Sequence, residues 1–272
     1  MAAQDSLDTN GAELVSGPVP TWRYIVPNAV TAASLVIGLM GMIAASEGRF
    51  EVAGWLIVLC VLLDKLDGTF ARLLGSTSKF GVQLDSLADL VVFGVAPPAA
   101  VLFLAKHEAG VFAMWAPWGW VLNACLALFV ITAALRLAKF NVISEDGPPV
   151  FFGMPTTLAG GLIGLLLLVG LKYDLEGLLR ALPLICLIFG LMMVSNLPLP
   201  KIGKSESLAM NAFLGVNLAL SYVFGVARIF PEYLLVLSAS LALAGFVWGQ
   251  VHRSELRDQL DGTETEANSV EA

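Results

Sequence analysis

The chain has 272 residues, of which 57% are hydrophobic and only 14% are charged, and its mean hydropathy is +0.81. A soluble domain is about half apolar and about one-quarter charged. The composition therefore excludes an ordinary soluble enzyme, a disordered protein and a disulfide-rich scaffold. The net charge of −7 and the pI of about 4.8 argue against a nucleic-acid partner, which requires a basic surface.

The two ends of the chain are polar. Residues 1–22 contain three acidic residues and no Lys or Arg, whereas a secretory signal has a basic start followed by an apolar stretch. We therefore expect a short, solvated cytoplasmic tail at 1–22. Residues 252–272 are polar and acidic, and we expect a disordered tail there.

Long apolar runs occupy the chain between these tails. A membrane-spanning helix needs about 20 apolar residues, and most of the runs approach or exceed that length. The sequence predicts an all-α fold, a polytopic transmembrane helical bundle of about eight spans, as one domain over 23–251. The runs cover residues 24–46, 52–74, 82–105, 116–138, 154–171, 180–196, 208–227 and 231–250.

The basic residues indicate an orientation. Cytoplasmic loops of membrane proteins carry an excess of Lys and Arg. With eight spans and a cytoplasmic N-terminus, ten of the 15 basic residues lie on the cytoplasmic side, which predicts both termini inside. The ten are Arg23, Lys65, Arg72, Lys79, Arg136, Lys139, Lys201, Lys204, Arg253 and Arg257.

Four aspartates lie within the second and third apolar runs, at Asp64, Asp67, Asp85 and Asp89. An isolated carboxylate inside a membrane costs about 3 kcal/mol or more, so four of them require compensation. Asp64 and Asp67 share one helical face, and Asp85 and Asp89 share another. A short connection makes the two helices antiparallel neighbours, so we expect the two acidic faces to meet near the cytoplasmic end.

A set of carboxylates suits a hard divalent cation such as Mg²⁺, Mn²⁺ or Ca²⁺. Gly68, Ala71 and Gly81 leave room for a bulky ligand, and Arg72 offers a forked donor for phosphate oxygens. These features predict a phosphate-bearing substrate. The alternative from a different class is a cation transporter, in which the aspartates form an ion path or pair with basic residues.

The four aspartates, Gly68, Ala71, Arg72 and Gly81 together fit one pattern. The pattern is D-x2-D-G-x2-A-R-x8-G-x3-D-x3-D, from Asp64 to Asp89, and the sequence matches it without departure. This pattern resembles the signature of the CDP-alcohol phosphatidyltransferases. The resemblance implies an enzyme that uses CDP-diacylglycerol as donor and an alcohol as acceptor, releases CMP and requires one or two divalent ions, Mg²⁺ or Mn²⁺. It also implies a homodimer.

Four further segments, at 27–31, 86–98, 134–142 and 151–155, are similar to the membrane-embedded phosphatidylserine synthases of this family. That branch implies L-serine as the acceptor, phosphatidylserine as the product and a site that faces the cytoplasm at the cytoplasmic membrane. Lys139 stands where the branch has Arg. Glycerol 3-phosphate, inositol phosphate and choline remain alternative acceptors, and an archaeal ether lipid remains an alternative donor.

The resemblance and the chemistry together assign roles to the candidate residues. Asp64, Asp67 and Asp85 are the expected metal ligands. Asp89 is expected to be the general base, a ligand of a second metal, or both, so that Asp85 and Asp89 form the catalytic pair. Arg136 is the candidate cation for the carboxylate of serine, against the alternative that it snorkels to lipid headgroups. The expected nucleotide and phosphate contacts are Asn28, Thr31, Gly68, Ala71, Arg72 and Gly81, and the expected helpers of Arg136 are Lys139 and Asn141.

Overall fold

The computed structural model of the chain describes residues 22–74, 78–143, 150–195, 198–200 and 208–251. Helices dominate these ranges, as the sequence predicts, and each predicted span has a helical counterpart. The helices are α1 (Trp22–Ser46), α2 (Phe50–Leu74), α3 (Lys79–Asp89), α4 (Ala96–His107), α5 (Gly119–Ile143), α6 (Thr156–Lys172), α7 (Glu176–Val194), α8 (Leu208–Ala227) and α9 (Pro231–Val251).

The bundle has one main core. α1 packs along α2, α2 packs against α6, and α5 packs against α7. Leu104 on α4 and Phe129, Ile163, Leu167 and Leu182 on α5, α6 and α7 are fully buried in this core. Small and branched apolar side chains at the contacts allow the helices to approach closely.

The outer surface of the bundle is apolar. Val36, Leu135 and Val247 are more than half exposed, at 54%, 57% and 62%. Such a surface fits lipid rather than water, and the chain is an integral membrane protein. Five described segments are long and apolar enough to cross a membrane: Ile25–Ser46, Phe80–His107, Ala113–Val142, Glu176–Val194 and Pro231–Trp248.

The third predicted span is not one regular helix. α3 ends at Asp89, a π-helical segment covers Leu90–Val95, and α4 begins at Ala96. The amide of Ala96 donates to the carbonyl of Val91, five residues earlier. Pro97 and Pro98 follow at the start of α4, and neither can donate an amide hydrogen bond to the preceding turn. The widened turn therefore coincides with the two prolines, and it begins directly after Asp89.

α6 approaches this π-helical segment at Gly160. A Cβ atom at Gly160 would lie 2.6 Å from the carbonyl oxygen of Phe93 and 2.8 Å from its Cα atom. Only glycine allows the two backbones to come this close. The contact connects the start of α6 to the turn that follows Asp89.

Two three-residue strands, β1 (Val150–Phe152) and β2 (Pro198–Pro200), pair antiparallel, with Phe151 opposite Leu199. The sequence analysis did not predict them, because runs of three residues give no usable periodicity. Gly153 follows β1 with φ +80°, and a Cβ atom there would lie 2.2 Å from the carbonyl oxygen of Met193. The strands bring the start of α6 and the end of α7 together.

The predicted tails fall almost entirely outside the described residues. The structure begins at Trp22, the last residue of the predicted 1–22 segment, and its last described residue is Val251. The bounds of the helical domain, 23–251, stay a prediction.

Candidate active site

Three of the four predicted aspartates converge. One carboxylate oxygen from each of Asp64, Asp67 and Asp85 lies within 4.8 Å of the other two. Asp67 is buried, whereas Asp64 and Asp85 are partly buried. This is the arrangement that the helical spacing predicted, and the three carboxylates could hold a metal ion.

A side-chain cap fixes the start of α3, the helix that carries Asp85. The hydroxyl of Ser78 accepts a hydrogen bond from the amide of Gly81, at 3.0 Å, and caps the helix. The side-chain oxygen of Asn28 on α1 lies beside Gly81, since a Cβ atom there would be 3.2 Å from it. Asn28 and Gly81, both predicted nucleotide contacts, are therefore neighbours at the edge of the carboxylate group.

Asp67 has hydrogen-bond partners on both oxygens. Its Oδ2 atom accepts from the hydroxyl of Thr31 on α1 at 2.9 Å, and its Oδ1 atom accepts from the amide of Gly68 at 2.6 Å. Thr31 Oγ1 also lies 3.1 Å from the carbonyl oxygen of Pro27. Thr31, a predicted nucleotide contact, therefore contacts the site through its hydrogen bond to the carboxylate of Asp67.

Asp89 lies at the junction of α3 and the π-helical segment. It interacts electrostatically with Asp64 and Asp85, and with Arg136 on α5. Within the described part of the chain, the compact carboxylate group consists of the other three aspartates. Asp89 is therefore within electrostatic range of both the acidic cluster and Arg136.

Arg136 reaches into the bundle rather than out to the lipid. Its Nη1 atom donates a hydrogen bond to the hydroxyl of Thr156 at 2.9 Å, and Thr156 is fully buried at the start of α6. Its Nε atom is buried and has no hydrogen-bond partner among the described residues. The predicted acceptor residue is therefore within electrostatic range of Asp89 and keeps an unused donor.

The other two predicted acceptor residues lie in different surroundings. Lys139 is exposed. Asn141 connects α5 to α3, because its Oδ1 atom accepts from Ser86 at 3.0 Å and its amide donates to Gln83 at 3.4 Å. Asn141 thus fixes the position of the helix that carries Asp85 and Asp89. The side chains of the remaining predicted contacts, Ala71 and Arg72, lie outside the described residues.

The sequence analysis missed three residues near this site. Thr156 directly follows segment 151–155, and Ser86 is the first residue of segment 86–98. Both segments resemble the phosphatidylserine synthases, and that resemblance could have identified the two residues. Tyr222 on α8 donates a hydrogen bond to the carbonyl of Leu62 at 2.9 Å and interacts electrostatically with Asp64 and Asp67. Nothing in its local sequence marks it, because only the packing of α8 on α2 brings it there.

Comparison with known families decides the class of this site. The sequence model of the CDP-alcohol phosphatidyltransferase family matches residues 24–199, which include the carboxylate cluster and Arg136. The chain belongs to the CDP-alcohol phosphatidyltransferase family. The predicted resemblance is confirmed, and the converging aspartates are those of the family signature.

Relatives within this family bear one common name, CDP-diacylglycerol–serine O-phosphatidyltransferase. The protein of Helicobacter pylori strain J99 is 40% identical over 204 residues, covering 74% of this chain and 82% of that protein. The protein of Mycobacterium leprae is 32% identical over 222 residues, covering 78% and 69%. The protein of Methanocaldococcus jannaschii is 30% identical over 222 residues, covering 82% and 92%.

Proposed function

We propose that the chain transfers a phosphatidyl group from CDP-diacylglycerol to the hydroxyl of L-serine, releasing CMP and forming phosphatidylserine. The observation that carries this proposal is the convergence of Asp64, Asp67 and Asp85 in a membrane protein of this family. Arg136 lies within electrostatic range of the fourth aspartate, Asp89. The common name of the bacterial and archaeal relatives supports serine as the acceptor.

The three clustered carboxylates are the proposed metal ligands. Their donor set consists of oxygen atoms, which suits Mg²⁺ or Mn²⁺, and their mutual repulsion is relieved by a bound cation. A divalent ion supplies Lewis-acid polarisation of a phosphoryl oxygen and balances the charge of the pyrophosphate. Asp89 remains a candidate ligand for a second ion.

The reaction requires one bond to form and one to break. The serine oxygen bonds to the phosphorus that carries diacylglycerol, the bond from that phosphorus to the bridging oxygen breaks, and CMP leaves with the bridging oxygen. Asp89 is the proposed acceptor of the serine hydroxyl proton, directly or through one water. Its electrostatic interaction with Arg136 supports this role, because Arg136 is the proposed partner of the serine carboxylate.

The proposed nucleotide site lies where α1, α2 and α3 meet. Asn28 lies beside Gly81, and Thr31 holds Asp67. Gly68 and Gly81 are proposed nucleotide contacts, because glycine allows a ligand to approach the backbone closely. Ala71 and Arg72 are proposed to complete the site through close approach and a phosphate contact, as the family signature implies.

Arg136 is the proposed partner of the serine carboxylate. A buried guanidinium group with a free donor fits a carboxylate. Lys139 and Asn141 are proposed helpers, Asn141 by holding α3 in place through Ser86.

We also propose that the protein resides in the cytoplasmic membrane with both termini and the active site on the cytoplasmic side. The distribution of Lys and Arg along the sequence supports this orientation. Homodimer formation is a further proposal, which rests on the family alone.

An acceptor screen tests the proposed function. The purified protein receives CDP-diacylglycerol and Mg²⁺ or Mn²⁺, and CMP release is measured with serine, glycerol 3-phosphate, inositol 1-phosphate or choline. We expect release with serine only. Release with another acceptor would refute the serine assignment, and absence of release with every acceptor, including with an ether-linked donor, would refute the transferase and favour cation transport.

A further inference from the structure

A cavity lies at the end of the bundle that is remote from the carboxylate cluster. It has a volume of about 440 Å³, within the range of small-molecule sites. It lies between the start of α2, the end of α6 and the turn from α8 to α9. Its residue Glu51 lies in the first turn of α2, whereas Asp64 is near the other end, about 20 Å further along the axis. The cavity is therefore separate from the carboxylate cluster.

The cavity has an apolar base and a charged rim. Trp55 and Leu168 are buried and line it with Leu171. The rim carries one anionic side chain, Glu51, and two cationic ones, Lys172 and Arg228. Aromatic and basic residues at the ends of membrane helices are typical of the interface with lipid headgroups.

One of the two cations is already neutralised. Lys172 Nζ lies 2.9 Å from both carboxylate oxygens of Glu232 and 5.8 Å from the centre of the Phe230 ring. Arg228 has no hydrogen-bond or ion-pair partner among the residues that the structure describes, and the same is true of Glu51. The cavity therefore presents one unpaired positive group and one unpaired negative group.

The turn that carries Arg228 is held in an uncommon conformation. Arg228 and Phe230 have φ of +56° and +52°, which non-glycine residues rarely adopt. The amide of Ile229 bonds to the carbonyl of Phe224 at 3.0 Å, and the Phe224 ring packs edge-on against Phe230 and Tyr233. These contacts fix the rim of the cavity in place, and backbone held this way is found at ligand sites.

We propose that this cavity binds the headgroup of a zwitterionic aminophospholipid from the surrounding leaflet. Arg228 binds the phosphate, because a guanidinium group matches phosphate oxygens. Glu51 binds the ammonium group, and the apolar base receives the glycerol end of the lipid. An anionic lipid without an amine can bind Arg228 but not Glu51. The two groups together therefore select a headgroup that carries an amine. The proposal does not depend on the transferase reaction.

Native mass spectrometry of the detergent-purified protein tests this site. The wild-type protein is incubated with phosphatidylethanolamine or phosphatidylglycerol of identical acyl chains, and the lipid-bound fraction is measured. We expect Arg228→Ala to weaken the binding of both lipids by about tenfold, the loss of one charge-assisted contact. We expect Glu51→Gln to weaken only phosphatidylethanolamine. Arg49→Ala is the matched control, because Arg49 lies at the same end and pairs with Glu47 at 2.7 Å.

Two results would overturn the proposal. One is equal binding of the two lipids by the wild-type protein with no effect of Glu51→Gln, which would indicate nonspecific annular lipid. The other is binding of free phosphoethanolamine as tight as that of the lipid, which would assign the cavity to a soluble ligand. Each variant is first shown to elute as one species and to retain CMP release, so that a folding defect is recognised.

Discussion

The hydroxyl of Thr31 on α1 donates a hydrogen bond to the carboxylate of Asp67 on α2, at 2.9 Å. Both residues are buried, at 5% exposure each. Asp67 is a proposed metal ligand, so this hydrogen bond connects the first helix of the bundle to the carboxylate cluster. A neighbour that orients a ligating carboxylate affects how tightly the metal binds.

Replacing Thr31 tests that connection. Thr31→Val keeps the shape of the side chain but removes the donor, and we expect a loss of about 10- to 100-fold in metal affinity or activity. Thr31→Ser retains the hydroxyl and serves as the matched control. The measurement is CMP release over a titration of Mn²⁺. Equal behaviour of the Val and Ser variants would show that the hydrogen bond has no role.

The roles of Asp85 and Asp89 are separable. Asp89→Asn removes the proposed base, so we expect kcat to fall by roughly two to four orders of magnitude, with the Mn²⁺ dependence unchanged. Asp85→Asn removes a proposed ligand, so we expect the Mn²⁺ concentration for half-maximal activity to rise. Asp174→Asn is the control, since Asp174 is exposed in the turn between α6 and α7, and asparagine tolerates its φ of +49°. A shifted Mn²⁺ dependence in Asp89→Asn would make Asp89 a ligand instead.

The contact between Arg136 and Thr156 predicts that both residues affect the KM for serine. Arg136→Ala removes a charge-assisted contact of about 1.5–3 kcal/mol, so we expect a KM for serine raised at least tenfold and a smaller change in the KM for CDP-diacylglycerol. Thr156→Val removes only the side-chain partner of Arg136, so we expect a weaker effect in the same direction. Thr157→Val is the neighbouring control, because Thr157 lies beside a small cavity on another face of α6. An unchanged KM for serine in Arg136→Ala would refute the acceptor assignment.

The contact of Gly160 with Phe93 predicts a loss of stability. Gly160→Ala places a methyl group 2.6 Å from a carbonyl oxygen, so the helices must separate, at a cost of about 1–3 kcal/mol. We expect a lower melting temperature in detergent and reduced CMP release, since Phe93 lies in the turn that follows Asp89. Gly177→Ala is the control, because nothing lies within 4 Å of a Cβ atom at Gly177. Equal melting temperatures of the two variants would contradict the predicted clash.

Much of the candidate site was predictable from spacing. Asp64 and Asp67 on one helix, and Asp85 and Asp89 on the next, were expected to meet because the short connection makes the two helices antiparallel neighbours. The structure confirms that meeting for Asp64, Asp67 and Asp85. Asp89 was expected in the cluster but is not part of the compact group of three. The contacts of Thr156 and Tyr222 were not predictable, because they arise between helices that are distant along the chain.

The sequence by itself determined the membrane-spanning helices, the family and the carboxylate cluster. The length of an apolar run, the spacing of its residues and the length of a loop are local properties. They can be read from the sequence without knowledge of how the helices pack. Tertiary structure decided which groups meet across the bundle: Thr31 with Asp67, Arg136 with Thr156, and the unpaired Glu51 and Arg228 at one cavity. It also introduced the π-helical turn after Asp89. These features depend on side chains and backbones packed from several helices at once, which no local pattern encodes.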